Sequence, residues 1–466
     1  MKAFDLVVVG HGAAGLCAAL AAAETARHNG VPARITVIES ALREAFGGNS
    51  RYSPSYIRMP SVEGVAASFV EDIMAESGPR AARAYFERLA SVAPAALKWL
   101  QGHGLQFNHP LYYLAAGPKR IQPVGGGTAL VAALFDAAQR AGVEFRYGTA
   151  ASQLLVEQGN EARAVVGVRL ADGTQLPANA VILASGSFAA NGDMLAQHFG
   201  AAARGMKPLS PGTAFNQGEG IRMALAVGAQ ASGDWTGMHA EPVDARSAQS
   251  AAVVLVYPYG IVVNNQGQRF FDEGAGLVHE TWEHFARSIQ MDQAQQRAWA
   301  ILDSRLHAIS DWERAVRSEV PPFQADSIAE LAKLLGLDAT ALAATITAYN
   351  AATVNNTTGF DATHTDGLHT VPGYAPPKSN WAQAIDRPPF LAWPLQGAVA
   401  YTFGGLATDV NAQVLGQQGP IPGLYAAGEI TGHFYGTAPN AVAMLRAIVF
   451  GRIAGQCALT PSREQA

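Results

Sequence analysis

Two cysteines in 466 residues, Cys17 and Cys457, leave no material for a disulfide framework, a cysteine-ligated metal or an iron–sulfur cluster. Charge is sparse too. The 32 basic residues are outnumbered by 37 acidic ones, a net −5, so nucleic acid has no basic footprint to bind. No apolar run approaches the ~18 residues that a membrane span requires. The first apolar strand begins within a few residues of Met1 and does not read as a removable secretion signal. A cytoplasmic location is therefore the expectation. What remains is 49% hydrophobic residues and 48 glycines over a length that exceeds one ordinary core, the balance of a two-domain globular enzyme.

The most informative stretch comes first. Phe4-Asp5-Leu6-Val7-Val8-Val9 reads as a buried parallel strand. It runs into Gly10-x-Gly12-x-x-Gly15, and an alanine-rich helix follows from about Leu16 to Arg27. Gly10 serves the tight turn, Gly12 the close approach of backbone to a pyrophosphate, and Gly15 helix-on-strand packing. The helix start, with Ala13 and Ala14, offers unpaired N–H groups to phosphates. A second strand, Arg34 to Ile38, ends at Glu39 and Ser40, where a carboxylate can hold a ribose hydroxyl. Strand, glycines, helix, strand and acid in this order predict a Rossmann-type dinucleotide site.

Further along, Ala45-Phe46-Gly47-Gly48-Asn49-Ser50 reads as a loop on which a flat ring can lie, with Asn49 or Ser50 donating to it. Helical periodicity covers 62–76 and 79–103, and Gly125-Gly126-Gly127 leads into a helix over 129–141. Gln153–Leu170 reads as a small antiparallel insert, and Asn179–Leu183 as a buried strand that turns at Ala184-Ser185-Gly186. The middle of the chain reads as helices over 280–302 and 326–354. Near the end, Leu424-Tyr425-Ala426-Ala427-Gly428-Glu429 brings a strand to a turn. Thr437-Ala438-Pro439-Asn440 then opens a helix running to about Cys457, with proline early where it is tolerated.

Together, the glycine motif, Gly47-Gly48-Asn49-Ser50, Ala184-Ser185-Gly186-Ser187-Phe188 and Ala426-Ala427-Gly428-Glu429 resemble the FAD-binding flavoproteins of the fumarate reductase/succinate dehydrogenase superfamily. The likeness is strongest to the soluble branch containing tricarballylate dehydrogenase and 3-ketosteroid Δ1-dehydrogenase, and it spans essentially the whole chain. It implies an α/β fold: a discontinuous Rossmann-type FAD-binding domain (1–233 and 397–466) with an inserted α+β substrate-capping domain (234–396). It also implies FAD contacts at Gly126, Gly127, Ala151, Asn440, and the backbone of Val442 and Ala443. The covalently flavinylated members carry a histidine where this chain has Ala41, so the resemblance implies non-covalent FAD.

Two-electron chemistry at a C–C bond needs a carbon facing the flavin, an acid or base for the neighbouring proton, and groups that fix the activating carbonyl or carboxylate. By position in the resemblance, His239 is a substrate-holding histidine, Glu273 a proton-relay acid and Arg305 the arginine acid, while Arg269 anchors the relay loop. Three departures stand out. Gly274-Ala275-Gly276 lacks the relay arginine, Tyr401 replaces a second carboxylate-binding histidine, and Tyr435-Gly436-Thr437 lacks the late substrate arginine. Tyr401 and Tyr435 can then serve as hydroxyl donors or a tyrosinate base, or simply pack against the ring. Arg120, Arg446 and Arg305 are the available cations. A dicarboxylate clamp so broken makes α,β-dehydrogenation of a small carboxylate or ketone the leading expectation, with the proton passing to Arg305 or Tyr401. An ene-reductase of the fumarate or urocanate type is the second reading, and a flavin protein without C–C chemistry the third. No haem-attachment motif is present, so electrons are expected to pass to an external acceptor.

Overall fold

The computed structural model describes residues 4–111, 117–158, 163–353 and 358–460. Phe4–Val9 is the central strand of a parallel sheet, and every residue in it except Asp5 is buried. Such a run suits a strand covered on both faces. Gln175–Leu183 lies on one side of it and Ile35–Ile38 on the other, with Gly419–Ala426 and Glu144–Arg146 farther out, all parallel. The strands Ala151–Gln158 and Arg163–Leu170 form an antiparallel arm hung from the sheet. Residues 159–162 between them lie outside the described residues.

The helix Ala13–His28 is buried almost all round because the C-terminal helix, Ala443–Ala458, crosses it. A Cβ on Gly451 would fall 2.4 Å from the Ala14 carbonyl oxygen, and one on Gly455 2.0 Å from that of Ala18. The two backbones therefore touch, and the last helix is locked against the first. Gly15 has an equivalent constraint: its Cβ would sit 2.0 Å from the Gly10 carbonyl oxygen.

A second, mostly antiparallel sheet forms the cap, in the order Met238–Asp244, Phe390–Thr402, Ala298–Leu302, Ile261–Val263. The helix Val278–Asp292 packs on one face, and Ile328–Leu335 and Ala339–Ala352 on the other. The expected helix over 280–302 thus ends at Asp292. Ala298-Trp299-Ala300-Ile301-Leu302 is a strand because all five residues are buried between two partners, a burial that helical periodicity cannot distinguish. Gly336, in the left-handed region at φ +69°, splits the second expected helix in two. The helix expected from residue 62 begins at Phe69, and the one expected from 129 begins at Gly126.

Phe390–Thr402 decides how the cap meets the nucleotide domain. Its first half pairs with Ala298–Leu302 and its second with Met238–Asp244, so the strand runs past residue 396 as one piece. Lys207–Pro208 joins the same sheet from the first segment. We propose a division near 1–233, 234–396 and 397–466, with this strand as the shared beam. No helix of the described residues is long and apolar enough to cross a membrane.

Candidate active site

An elongated cavity runs from the glycine turn to the inner face of the cap. At its first end lie Gly10, Gly12, Ala13, Ala14, Glu39, Ser40 and Ala151, with Ala184, Ser185 and Gly186 opposite. The Gly10 backbone is left-handed, at φ +109°, and a Cβ there would fall 2.4 Å from the Ala184 carbonyl oxygen. Gly12 differs. Its φ is an ordinary −77°, and the nearest protein atom to a Cβ would be the Ser50 hydroxyl at 3.4 Å. Nothing in the protein demands glycine there, so the space it leaves belongs to whatever fills the cavity. Glu39 ends the second strand with its carboxylate accepting from the backbone N–H of His11 at 2.9 Å and of Ala41 at 2.8 Å. The Ser185 hydroxyl, on the same wall, is a buried polar atom without a hydrogen-bond partner among the described residues. Open space at Gly12, a fixed acid and an orphaned hydroxyl fit a dinucleotide.

The middle of the cavity is organised by Asn49. Gly48–Tyr52 is a single helical turn rather than the expected loop, and Gly47, left-handed at φ +102°, precedes it. The Asn49 amide nitrogen donates to the Ala400 carbonyl at 2.8 Å and toward the Glu429 carboxylate at 3.3 Å, and its oxygen accepts from the Thr213 hydroxyl at 2.7 Å. One side chain thus ties the long cap strand to the C-terminal turn. Ser50 accepts from the Ala13 N–H at 3.0 Å. Burial pushes the Glu429 carboxyl up to about 7, although Arg446 and the amides of Asn49 and Asn216 work against the shift. The C-terminal helix begins at Ala443, later than expected, because Ala441 adopts a left-handed φ of +59°. Ala438, Asn440, Ala441 and Ala443 line the cavity and Val442 does not, so a helix N-terminus opens on this region.

At the cap end, His239 and Tyr401 are register partners on adjacent strands and their rings stack at 5.1 Å. The His239 ring bonds the Glu283 carboxylate through Nδ1 and the Glu241 carboxylate through Nε2 at 3.1 Å. Burial alone would lower the imidazole pKa, but hydrogen bonds and charge from these two glutamates override it and raise it to about 10. His239 is an imidazolium at neutral pH with both nitrogens engaged. Because the folded value lies above the ordinary one near 6.5, its stabilising contribution is complete below that pH and is lost as pH rises through about 10. The gap in Tm between the native chain and His239→Gln should therefore be widest below pH 6.5 and shrink toward pH 10, which thermal melts across that range would measure.

Burial, reinforced by Glu283, Glu429 and Glu241, holds the Tyr401 hydroxyl well above its ordinary pKa. The hydroxyl has no hydrogen bond among the described residues, and Tyr401 lines the cavity. It is a neutral donor and not a tyrosinate. Tyr56, His279, Trp282 and Arg317 complete this end, with Arg317 donating to the Tyr56 hydroxyl at 3.2 Å and the Arg120 guanidinium 3.8 Å from the Tyr56 ring centre.

Three expected catalytic side chains stand away from this wall. Glu273 is fully buried in the cap, bridged to Arg269 at 2.5 Å and accepting from the Val262 N–H at 2.7 Å, with Lys378 4.0 Å away. Burial lowers the Lys378 pKa to about 8, against the pull of Glu273. This cluster holds the cap together, and deleting one charge from such a pair costs about 3–5 kcal/mol. Arg305 is occupied by Asp303, by Asp386 at 2.5 Å and by the Ala384 carbonyl at 2.7 Å. Tyr435 turns its hydroxyl to the Gly233 N–H at 3.1 Å and lies beneath Arg80. Glu273 and Arg305 are engaged in part by charges close in sequence, Arg269 and Asp303, whereas the Tyr435 partners Gly233 and Arg80 come from distant segments. Gly126 and Gly127 line a shallow adjoining cleft instead of the main cavity.

Glu241 and Glu283 went unread in the sequence. Glu241 could have been found, since residues two apart on a strand share a face with His239. Glu283 sits on a separate helix, and nothing local announces it.

A nucleotide cradle, an opposing helix N-terminus and a cap bearing titratable groups together define a dinucleotide-dependent redox enzyme. A protein-family model described as FAD binding domain matches residues 5–443, and the chain belongs to that family. It is 28% identical to the probable fumarate reductase Ifc3 of Shewanella frigidimarina (strain NCIMB 400), over 97% of this chain and 74% of that one. It is 30% identical to 4-oxocyclohexanecarboxylate 2-dehydrogenase of Sinomonas cyclohexanicum, over 72% of this chain and 61% of that one. The open conformation of a flavocytochrome c3 fumarate reductase superposes with a TM-score of 0.76 at 26% identity, covering 98% of this chain and 78% of that one. The chain is an FAD-dependent oxidoreductase of the fumarate reductase/3-ketosteroid dehydrogenase type, acting on C–C bonds.

Proposed function

We propose that this chain reduces the C=C bond of a small α,β-unsaturated carboxylate or ketone. The observation that carries the reading is the neutral Tyr401 hydroxyl facing the cavity, kept protonated by burial and by three nearby glutamates. When bound, FAD supplies the hydride. Tyr401 then delivers the proton to the carbon next to the activating group, a role that needs a donor poised in its acid form. His239, with both nitrogens engaged, is a positioning residue: its stacked ring fixes the Tyr401 ring, and Glu283, which accepts from the Ala438 N–H at 3.3 Å, ties that pair to the C-terminal turn. Arg317 and Tyr56 supply the cation and hydroxyl for the substrate's carboxyl or carbonyl oxygen. The FAD-facing wall comprises Gly10, Gly12, Glu39, Asn49, Ser50, Ser185, Glu429 and Ala443, and Ala41 offers no nucleophile for covalent attachment.

The desaturating direction is the second reading. It is favoured by the missing dicarboxylate clamp and by the likeness to a dehydrogenase of a cyclic keto acid. One experiment separates the two. The flavoprotein is reduced anaerobically, excess reductant is removed, and fumarate, acrylate and cyclic enones are added in turn. Rapid return of the oxidised flavin spectrum with an unsaturated acid or ketone is the expected result. Persistence of the reduced spectrum with all of them, together with bleaching of oxidised enzyme by a saturated acid or ketone, would reverse the direction.

A further inference from the structure

Arg446 is a buried charge that this chemistry leaves unused. It lies in the first turn of the C-terminal helix and is 1% exposed. Among the described residues its one well-formed hydrogen bond runs to the Thr431 carbonyl at 3.2 Å; the Tyr85 hydroxyl is a further polar neighbour, and Nε and the other terminal nitrogen are buried without a well-formed hydrogen bond. The guanidinium lies 3.9 Å from the Phe434 ring centre, and no carboxylate among the described residues comes within ion-pairing distance. Burial holds the Tyr85 phenol up near 12 and the His433 imidazole down near 3, so both are uncharged at neutral pH, while the Glu429 carboxyl, which feels the Arg446 charge from beyond ion-pairing distance, is pushed up by burial to about 7. A buried cation with no carboxylate in contact is costly unless further negative charge arrives nearby.

The position indicates where that counter-charge forms. Ala443 and Ala447, three residues before and one after Arg446, line the cavity, as do Gly428 and Glu429 just before Thr431. The arginine thus stands one layer behind the wall that the resident FAD would occupy. A flavin that takes up two electrons and one proton gains a negative charge, and a fixed cation behind it favours that state through a medium of low dielectric.

We propose that Arg446 is a positioning charge that sets the reduction potential of the bound flavin, raising it above that of free FAD. The inference rests on the cofactor and is independent of the substrate and direction proposed above. The test is a midpoint titration of the purified flavoprotein in which two electrons and one proton pass from a reduced mediator dye to each flavin. Free FAD, Arg446→Met and Arg446→Lys are run in the same conditions, and the dissociation constant of sulfite is measured in parallel. Sulfite adds through sulfur to the oxidised ring and leaves it negatively charged, so it reports the same cation without turnover.

The native protein should titrate above free FAD. Arg446→Met should shift the oxidised/reduced equilibrium about tenfold, a fall of about 30 mV for a two-electron couple, and weaken sulfite binding by a similar factor. Arg446→Lys, which keeps the charge, should recover most of both. A native potential below free FAD would overturn the proposal even if both variants failed to fold. So would equal losses in the Met and Lys variants, because packing rather than charge would then be responsible.

Discussion

Replacing Tyr401 with phenylalanine is expected to lower kcat by about 10²- to 10⁴-fold, the range that general acid catalysis supplies. The flavin spectrum should stay unchanged. The ring is held by stacking on His239 and by contact with Phe403 and Phe434, and phenylalanine preserves all three. Only the hydroxyl is lost, and it makes no hydrogen bond to the described residues, so stability should hardly move. A parallel Arg305→Ala variant sharpens the test. That guanidinium is engaged by Asp303 and Asp386, so its removal should cost thermal stability while leaving the rate of flavin reoxidation within a few-fold. Single-turnover reoxidation of reduced enzyme measures both. A slow Arg305→Ala beside a fast Tyr401→Phe would move the proton donor out of the cavity wall and sink the assignment.

Gly12→Val is expected to yield folded but colourless protein, with FAD affinity reduced at least about a hundredfold, some 2.7 kcal/mol. The Cβ meets no protein atom closer than 3.4 Å, and φ at this position suits any residue, so the fold has no reason to object. The branched side chain instead enters the space reserved for the cofactor's phosphates. Gly15→Ala provides the contrast. There the Cβ falls 2.0 Å from the Gly10 carbonyl oxygen, and the helix cannot stay seated on its strand. Far-ultraviolet circular dichroism and FAD titration distinguish the outcomes. A yellow Gly12→Val protein would mean that the pyrophosphate lies elsewhere.

The glycine spacing, the valine strand and the terminal Glu39 were legible because each acts within some thirty residues and through backbone geometry, which residue type reports directly. Asn49 was legible as a polar residue in a suggestive place, but its actual partners, Ala400, Thr213 and Glu429, lie more than 160 residues away. Glu273 and Arg305 show a different limit, since charges that engage them, Arg269 and Asp303, lie only four and two residues away. A carboxylate or guanidinium at a plausible position looks equally available in sequence whether it faces a substrate or a buried counter-ion. Burial of both faces likewise turned Ala298–Leu302 into a strand that helical periodicity had absorbed.

What the amino-acid order alone determined was the cofactor class, since a nucleotide cradle is written in local turns and short hydrophobic runs. Only the tertiary structure decided which side chains meet at the cap and in what state of protonation. The cross-strand pairing of His239 with Tyr401, the glutamates that charge the first and keep the second neutral, and the lone guanidinium behind the wall are relations between distant segments. Protonation state depends on burial and neighbours, and neither is a property of a residue's place in the chain.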